Sequence, residues 1–194
     1  MSPEWEERML HELPKRKTVD RWSVMDVECT NKTVLNLGAT EPLHSKLEKI
    51  ARKVYGLDKN ENLRETVKNF IWCNLDRLCY MNTQEIQAAF PEDADVVVAG
   101  EILEHLSNPG ILLDTLRGYG KPVIITAPNA FSCAAQHFIR KGHEQVNAEH
   151  VCWYSWHTMK VLLERHSMRP VFLGWYGEGR EPVEGEGVIF RCSL

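Results

Sequence analysis

Glu101, Glu104 and His105 put two carboxylates and an imidazole within five residues of one another. If the chain turns straight into a helix there, the i, i+3, i+4 spacing sets all three on one face. Joined by His150, such a set has the donors to hold a divalent cation. In the competing reading, Glu101 faces a bound ligand while Glu104 and His105 are polar residues at a helix start. The sequence favours the second reading, and no metal is expected. A separate pattern lies upstream. Gly38 closes the apolar run Thr33–Leu37, and Asp58 closes the run Val54–Leu57, 20 residues later. When both runs are strands, an acid at that distance accepts hydrogen bonds from the ribose hydroxyls of a nucleotide-like ligand. Glycine suits the first position because the backbone must approach the ligand, and any Cβ would fill that space. Alone, Asp58 would serve equally as a turn residue before Asn60.

These residues need strand exits to carry them, and the chain supplies a regular alternation. Short apolar runs at Thr33–Leu37, Val54–Leu57, Phe70–Cys73, Ala94–Ala99 and Val123–Thr126 predict buried strands. Between and after them, Pro42–Arg52, Glu61–Lys68, Thr83–Ala89, Ile111–Tyr119, Phe131–Arg140 and Ser155–Arg165 have helical spacing. Residues 3–13 suit a short amphipathic helix within an N-terminal extension of residues 1–20. The tail differs: Val171–Tyr176 and Gly187–Cys192 flank a Gly/Pro/Glu-rich loop, as in an antiparallel hairpin. Five strands alternating with helices and then a hairpin describe an α/β, doubly wound three-layer Rossmann-like sheet with an antiparallel edge. Ligands of such sheets bind at the carboxyl ends of the strands, where Gly38, Asp58, Asn74, Glu101 and Asn129 all fall.

Composition agrees with one globular domain spanning 1–194. The chain has 194 residues, 43% hydrophobic and 26% charged, which excludes a disordered chain. Its 27 acidic and 23 basic residues leave a net charge of −4, which argues against nucleic acid as a partner held by bulk charge. The longest stretch free of Asp, Glu, Lys and Arg, Pro122–Ile139, is too polar to span a bilayer, and no signal peptide is visible. The six cysteines show no C-x-x-C pairing and read as reduced thiols of a cytoplasmic protein.

Val34-Leu35-Asn36-Leu37-Gly38 resembles motif I of the class I S-adenosylmethionine (SAM)-dependent methyltransferases. Val54–Asp58 resembles their second-strand motif with the ribose-binding carboxylate. Ala94–Leu106, which contains Gly100-Glu101-Ile102-Leu103-Glu104-His105, is similar to their fourth-strand segment. Ile124–Asn129 resembles the fifth-strand exit, and Glu149-His150-Val151-Cys152-Trp153-Tyr154-Ser155 a late segment of the family. The likeness covers roughly residues 20–192. It implies a seven-stranded sheet with its last strand antiparallel, SAM as methyl donor and S-adenosylhomocysteine (SAH) as product. It also implies that Asn36, Gly38, Ala39, Thr40, Asp58, Lys59, Asn74, Leu75, Asp76, Gly100 and Glu101 bind the cofactor. Two positions depart from the family pattern: Asn36 stands where an acid is usual, and Gly38-Ala39-Thr40 replaces Gly-x-Gly.

What the resemblance implies chemically is modest machinery. The sulfonium methyl is already activated, so alignment and removal of a proton suffice. Imidazole is the natural base near neutral pH, and His105 and His150 lie in the family-like blocks. The alternative for His150 is a structural residue pinning its loop. His44 reads as a helix-surface residue. Glu104, Asn129, Phe131, Trp153 and Tyr154 are expected on the acceptor side, with aromatics that could stack on a sugar or a base. The function implied is methyl transfer to a hydroxyl or amine of a small-molecule acceptor, such as a sugar or biosynthetic intermediate. Two alternatives remain: a metal-dependent RNA 2′-O-methyltransferase, since that group has a similar Glu-x-x-Glu-His, and a catalytically silent SAM-binding protein.

Overall fold

The computed structural model describes residues 12–14, 18–80, 89–177, 179 and 181–193. Seven strands form one sheet: β1 (Thr33–Leu37), β2 (Lys53–Asp58), β3 (Phe70–Trp72), β4 (Val96–Gly100), β5 (Val123–Pro128), β6 (Arg169–Tyr176) and β7 (Gly187–Ser193). Their spatial order is β3-β2-β1-β4-β5-β7-β6. The first five are parallel, and β7 runs antiparallel to both β5 and β6. The order reverses direction at β1 and β4, which opens a crevice between their carboxyl ends.

All five residues of β1 are buried, because helices cover both faces of the sheet. The period of two sorts the apolar side chains cleanly. Val34, Val96, Val98 and Ile124 face one layer, with Met25 and Cys29 of α1 (Arg21–Cys29) and Leu43 and Leu47 of α2 (Leu43–Ile50). Leu35, Leu37, Val97, Ala99 and Ile125 face the other layer. There they meet Leu112, Leu113 and Leu116 of α3 (Pro109–Tyr119) and Met159 and Leu163 of α5 (Trp156–Arg165). The short α4 (Cys133–Ile139) follows β5. Ser155 and Thr158 form a reciprocal capping box at the start of α5, and Gly120 in the left-handed conformation (φ 78°) closes α3.

Some expectations shift. Helix α1 is not signalled by a strong pattern; Asp20 starts it by accepting from the Trp22 and Ser23 amides. The helix expected over Glu61–Lys68 is a 3-10 helix of five residues, Glu61–Glu65. It bears no buried side chain to hold a longer helix against the sheet. Helix α4 begins two residues later than expected, at the cap Ser132. Most of residues 3–13 and of Thr83–Ala89 lie outside the described residues; residues 12–14 and 18–20 of the N-terminal extension are not helical. Among the described residues, no helix is long and apolar enough to cross a membrane.

Candidate active site

The crevice at the ends of β1 to β4 holds a cavity of about 330 Å³. Its wall includes Gly38 and Thr40 after β1, Asp58 and Lys59 after β2, Asn74, Leu75 and Asp76 after β3, and Gly100 and Glu101 after β4. Gly38 has φ +71°, and a Cβ there would come within 2.5 Å of Ile102 Cδ1. The backbone therefore forms a cradle that a side chain would close. Asp58 Oδ1 accepts from the Asn60 amide at 2.8 Å; no described residue pairs with Oδ2, which is left for a ligand hydroxyl. Asp76 instead holds the loop after β4, accepting from Ser107 N at 2.8 Å. A glycine cradle beside an acid with a spare oxygen suits the ribose and methionine portions of SAM.

Two expected cofactor residues do not line this cavity. Ala39 is 2% exposed and packs inward. Asn36 is fully buried; its amide donates toward His44 Nδ1 at 3.2 Å, and its Oδ1 has no partner. Placing Asn36 against the cofactor is thereby corrected, and so is His44 on the helix surface, since His44 is 2% exposed. Burial lowers the His44 pKa and keeps the ring neutral, able to accept from Asn36. Helical periodicity misses this inward turn because Gly56 of β2, having no Cβ, leaves room for the His44 ring beside Asn36.

The structure parts Glu101 from Glu104 and His105. Glu101 has φ +54°, and only a single 3-10 turn, Leu103–His105, follows, so the helical projection does not apply. Glu101 Oε1 accepts from Thr126 Oγ1 at 2.7 Å and from the Tyr176 hydroxyl. Glu104 turns the other way. It is 1% exposed, neither carboxylate oxygen has a hydrogen-bond partner, and burial followed by the Glu101 charge pushes its pKa up to about 8. The Val151 amide donates to the Glu104 carbonyl at 2.8 Å, which draws the late segment alongside. The His105 and His150 rings consequently meet edge to face, with centroids 4.6 Å apart. Donor atoms of Glu104, His105 and His150 all lie within 4.8 Å of one another. An orphaned carboxylate beside two imidazoles is a donor set suited to a divalent cation. Burial, then the neighbouring His105, lowers the His150 pKa.

On the far side of His150 lies a second cavity of about 290 Å³, lined by Asn129, Ser132, Gln145, Asn147, Trp153 and Glu186 among others. The paired imidazoles stand between the two cavities, since His105 lines the first and His150 the second. Trp153 lines this cavity. Asn129 lines the wall but its amide is used by the carbonyls of Val183 and Gly185 at 2.7 and 2.9 Å. Phe131 and Tyr154 are corrected: Phe131 is 57% exposed and outside the lining, and Tyr154 is buried with its hydroxyl on the Leu103 carbonyl at 3.3 Å. Gln145, Asn147 and Glu186 sit in loops, where no periodicity marks them.

A seven-stranded sheet in this order, with β7 antiparallel and a cradle at the β1 exit, is the fold of the class I SAM-dependent methyltransferases. Solved structures bear this out. The chain superposes on a SAM-dependent methyltransferase from Archaeoglobus fulgidus with a TM-score of 0.60 and 16% identity, over 90% of each chain. The methyltransferase domain of bacterial CtHen1-CN gives a TM-score of 0.61 and 17% identity, over 89% of this chain and 94% of that one. The small RNA methyltransferase HEN1 gives a TM-score of 0.64 and 12% identity, covering 95% of this chain and 27% of that much longer one. No family profile and no curated protein matches the sequence.

Proposed function

We propose that the chain is a SAM-dependent methyltransferase acting on a hydroxyl or amine of a small polar acceptor, of about the size of a sugar. The observation carrying this reading is the polar 290 Å³ cavity set across the His105–His150 pair from the Asp58 pocket. Bound SAM would supply a sulfonium-activated methyl group. Asp58 would hold the ribose hydroxyls and the Gly38 turn would admit the methionyl chain. His150, kept neutral by burial and by His105, would take the acceptor proton as the acceptor–methyl bond forms and the carbon–sulfur bond breaks. Trp153 offers a flat apolar face, and Gln145, Asn147 and Glu186 offer hydrogen-bonding groups, a combination suited to a ring bearing hydroxyls.

Glu104, His105 and His150 would alternatively hold a divalent cation able to orient and acidify an acceptor oxygen, with His150 then a ligand and not the base. That observation favours a second reading, an RNA acceptor, because a small RNA methyltransferase is among the structural neighbours. Against it, the acceptor cavity is lined by no lysine or arginine and the cavity beside it by a single arginine among three carboxylates, too little positive charge to track a phosphate backbone. The two separate in one experiment. Purified protein with labelled SAM is offered sugar and sugar-phosphate pools or short RNAs, with and without EDTA. Label entering the small molecules supports the proposal. Label entering RNA only, abolished by EDTA, replaces it.

A further inference from the structure

A third cavity, of about 350 Å³, adjoins the other two, sharing Glu101 with the cofactor pocket and Glu186 with the acceptor cavity. Arg21, at the start of α1, lines it. The guanidinium carbon lies 4.6 Å from the Trp22 ring centroid and 5.0 Å from that of Tyr176. A cation between two aromatic faces is held in place without its N–H groups being consumed. The Arg21 guanidinium makes no hydrogen bond or ion pair with any described residue. Three carboxylates, Asp20, Glu101 and Glu186, line the same cavity, and none of them forms an ion pair with the guanidinium. Asp20 accepts from the Trp22 and Ser23 amides and the Ser23 hydroxyl, and Glu101 accepts from Thr126 and Tyr176. The support is fixed as well, because Val19 N donates to the Trp175 carbonyl at 2.7 Å and ties the start of α1 to β6.

An arginine whose planar fork is oriented but unspent is built for a bidentate acid. We propose that Arg21 binds an acidic group, carboxylate or phosphate, of the methyl acceptor, so that the acceptor is an anionic small molecule. This rests on the methyltransferase reading above, and it narrows that reading from polar acceptors to charged ones. Tyr176 then has two tasks: its ring supports the guanidinium while its hydroxyl holds Glu101 at the edge of the cofactor pocket.

The test uses isotope-labelled protein with SAH added. Inorganic phosphate and acetate are titrated separately while the Arg21 Nε–H and Trp22 indole N–H resonances are followed. At least one anion should move both signals saturably in the millimolar range. Arg21→Gln should weaken that binding at least tenfold, and Arg21→Lys should recover part of it, with SAH affinity within twofold of wild type in both. Tighter phosphate binding identifies a phosphate ester, and tighter acetate binding a carboxylate; both support the proposal. No saturable shift with either anion, or equal anion affinity in Arg21→Gln, overturns it. The SAH titration on the same samples judges the methyltransferase reading separately: without SAH binding that reading fails, whatever the anions do.

Discussion

Replacing Glu104 with glutamine should stabilise the protein at neutral and alkaline pH. The buried carboxyl ionises near pH 8 in the folded chain against an ordinary value of 4.5. The folded state therefore keeps a proton that the unfolded state releases. This group's contribution to stability is full below pH 4.5, falls as pH rises through neutrality, and levels off above about 8. At about 1.4 kcal/mol per pH unit, the loss reaches about 3 kcal/mol at pH 7 and about 4 kcal/mol at pH 8. Glutamine fills nearly the same space and cannot ionise; its unpartnered amide costs about as much as the protonated acid does. Urea unfolding of both proteins in the presence of a chelator should give curves that nearly coincide at pH 4.5. At pH 8 the variant should be ahead by about 3–4 kcal/mol with unchanged slope. A difference that stays constant across this pH range would refute the reasoning.

Other perturbations reach the remaining parts of the site. Manganese added at neutral pH should raise the melting temperature of wild type and leave Glu104→Gln unmoved; equal shifts would place the ion elsewhere. Asp58→Ala removes charge-assisted hydrogen bonds of roughly 1.5–3 kcal/mol each, so calorimetry should show SAM affinity falling at least tenfold, and an unchanged affinity would remove Asp58 from the ribose site. The rate of methyl transfer should rise with pH through a midpoint below 6.5, because burial and His105 favour the neutral base at His150. His150→Asn should lower the rate and erase that limb, whereas a retained limb would assign the base to another residue. Thr40→Gly should hold or tighten SAH binding; a clear loss would reveal a contact from the threonine hydroxyl.

The sheet was legible because its parallel strands are buried on both faces and so appear as unbroken apolar runs, Val96-Val97-Val98 most plainly. The lining of the crevice was legible for a related reason: Gly38 and Asp58 stand at strand exits, and strand exits can be counted. Helix α1 was missed because its buried residues are Met25 and Cys29 alone, too few to mark a period over nine residues. The parting of Glu101 from Glu104 was not legible in detail, because it turns on a left-handed conformation at Glu101 that no local pattern announces. Asn36 and His44 escaped for want of a rule. Their pairing depends on how closely a helix approaches a strand, and that distance is set by the whole layer.

Strand β7 lies between β5 and β6 although it follows both along the chain. Growing from the ribosome, β6 therefore emerges with its neighbour in the sheet still unmade. Phe172 and Trp175, almost fully covered in the finished fold, have no inner strand to lean on during that interval, and the edge of β5 is bare. Tyr176 and Glu186 flank the loop entering β7, so the chamber around Arg21 is framed only when that strand slides into its slot. A nascent chain stalled before residue 187 would have its cofactor crevice roughed out, two apolar edges open to pairing with other chains, and no finished wall for an acceptor.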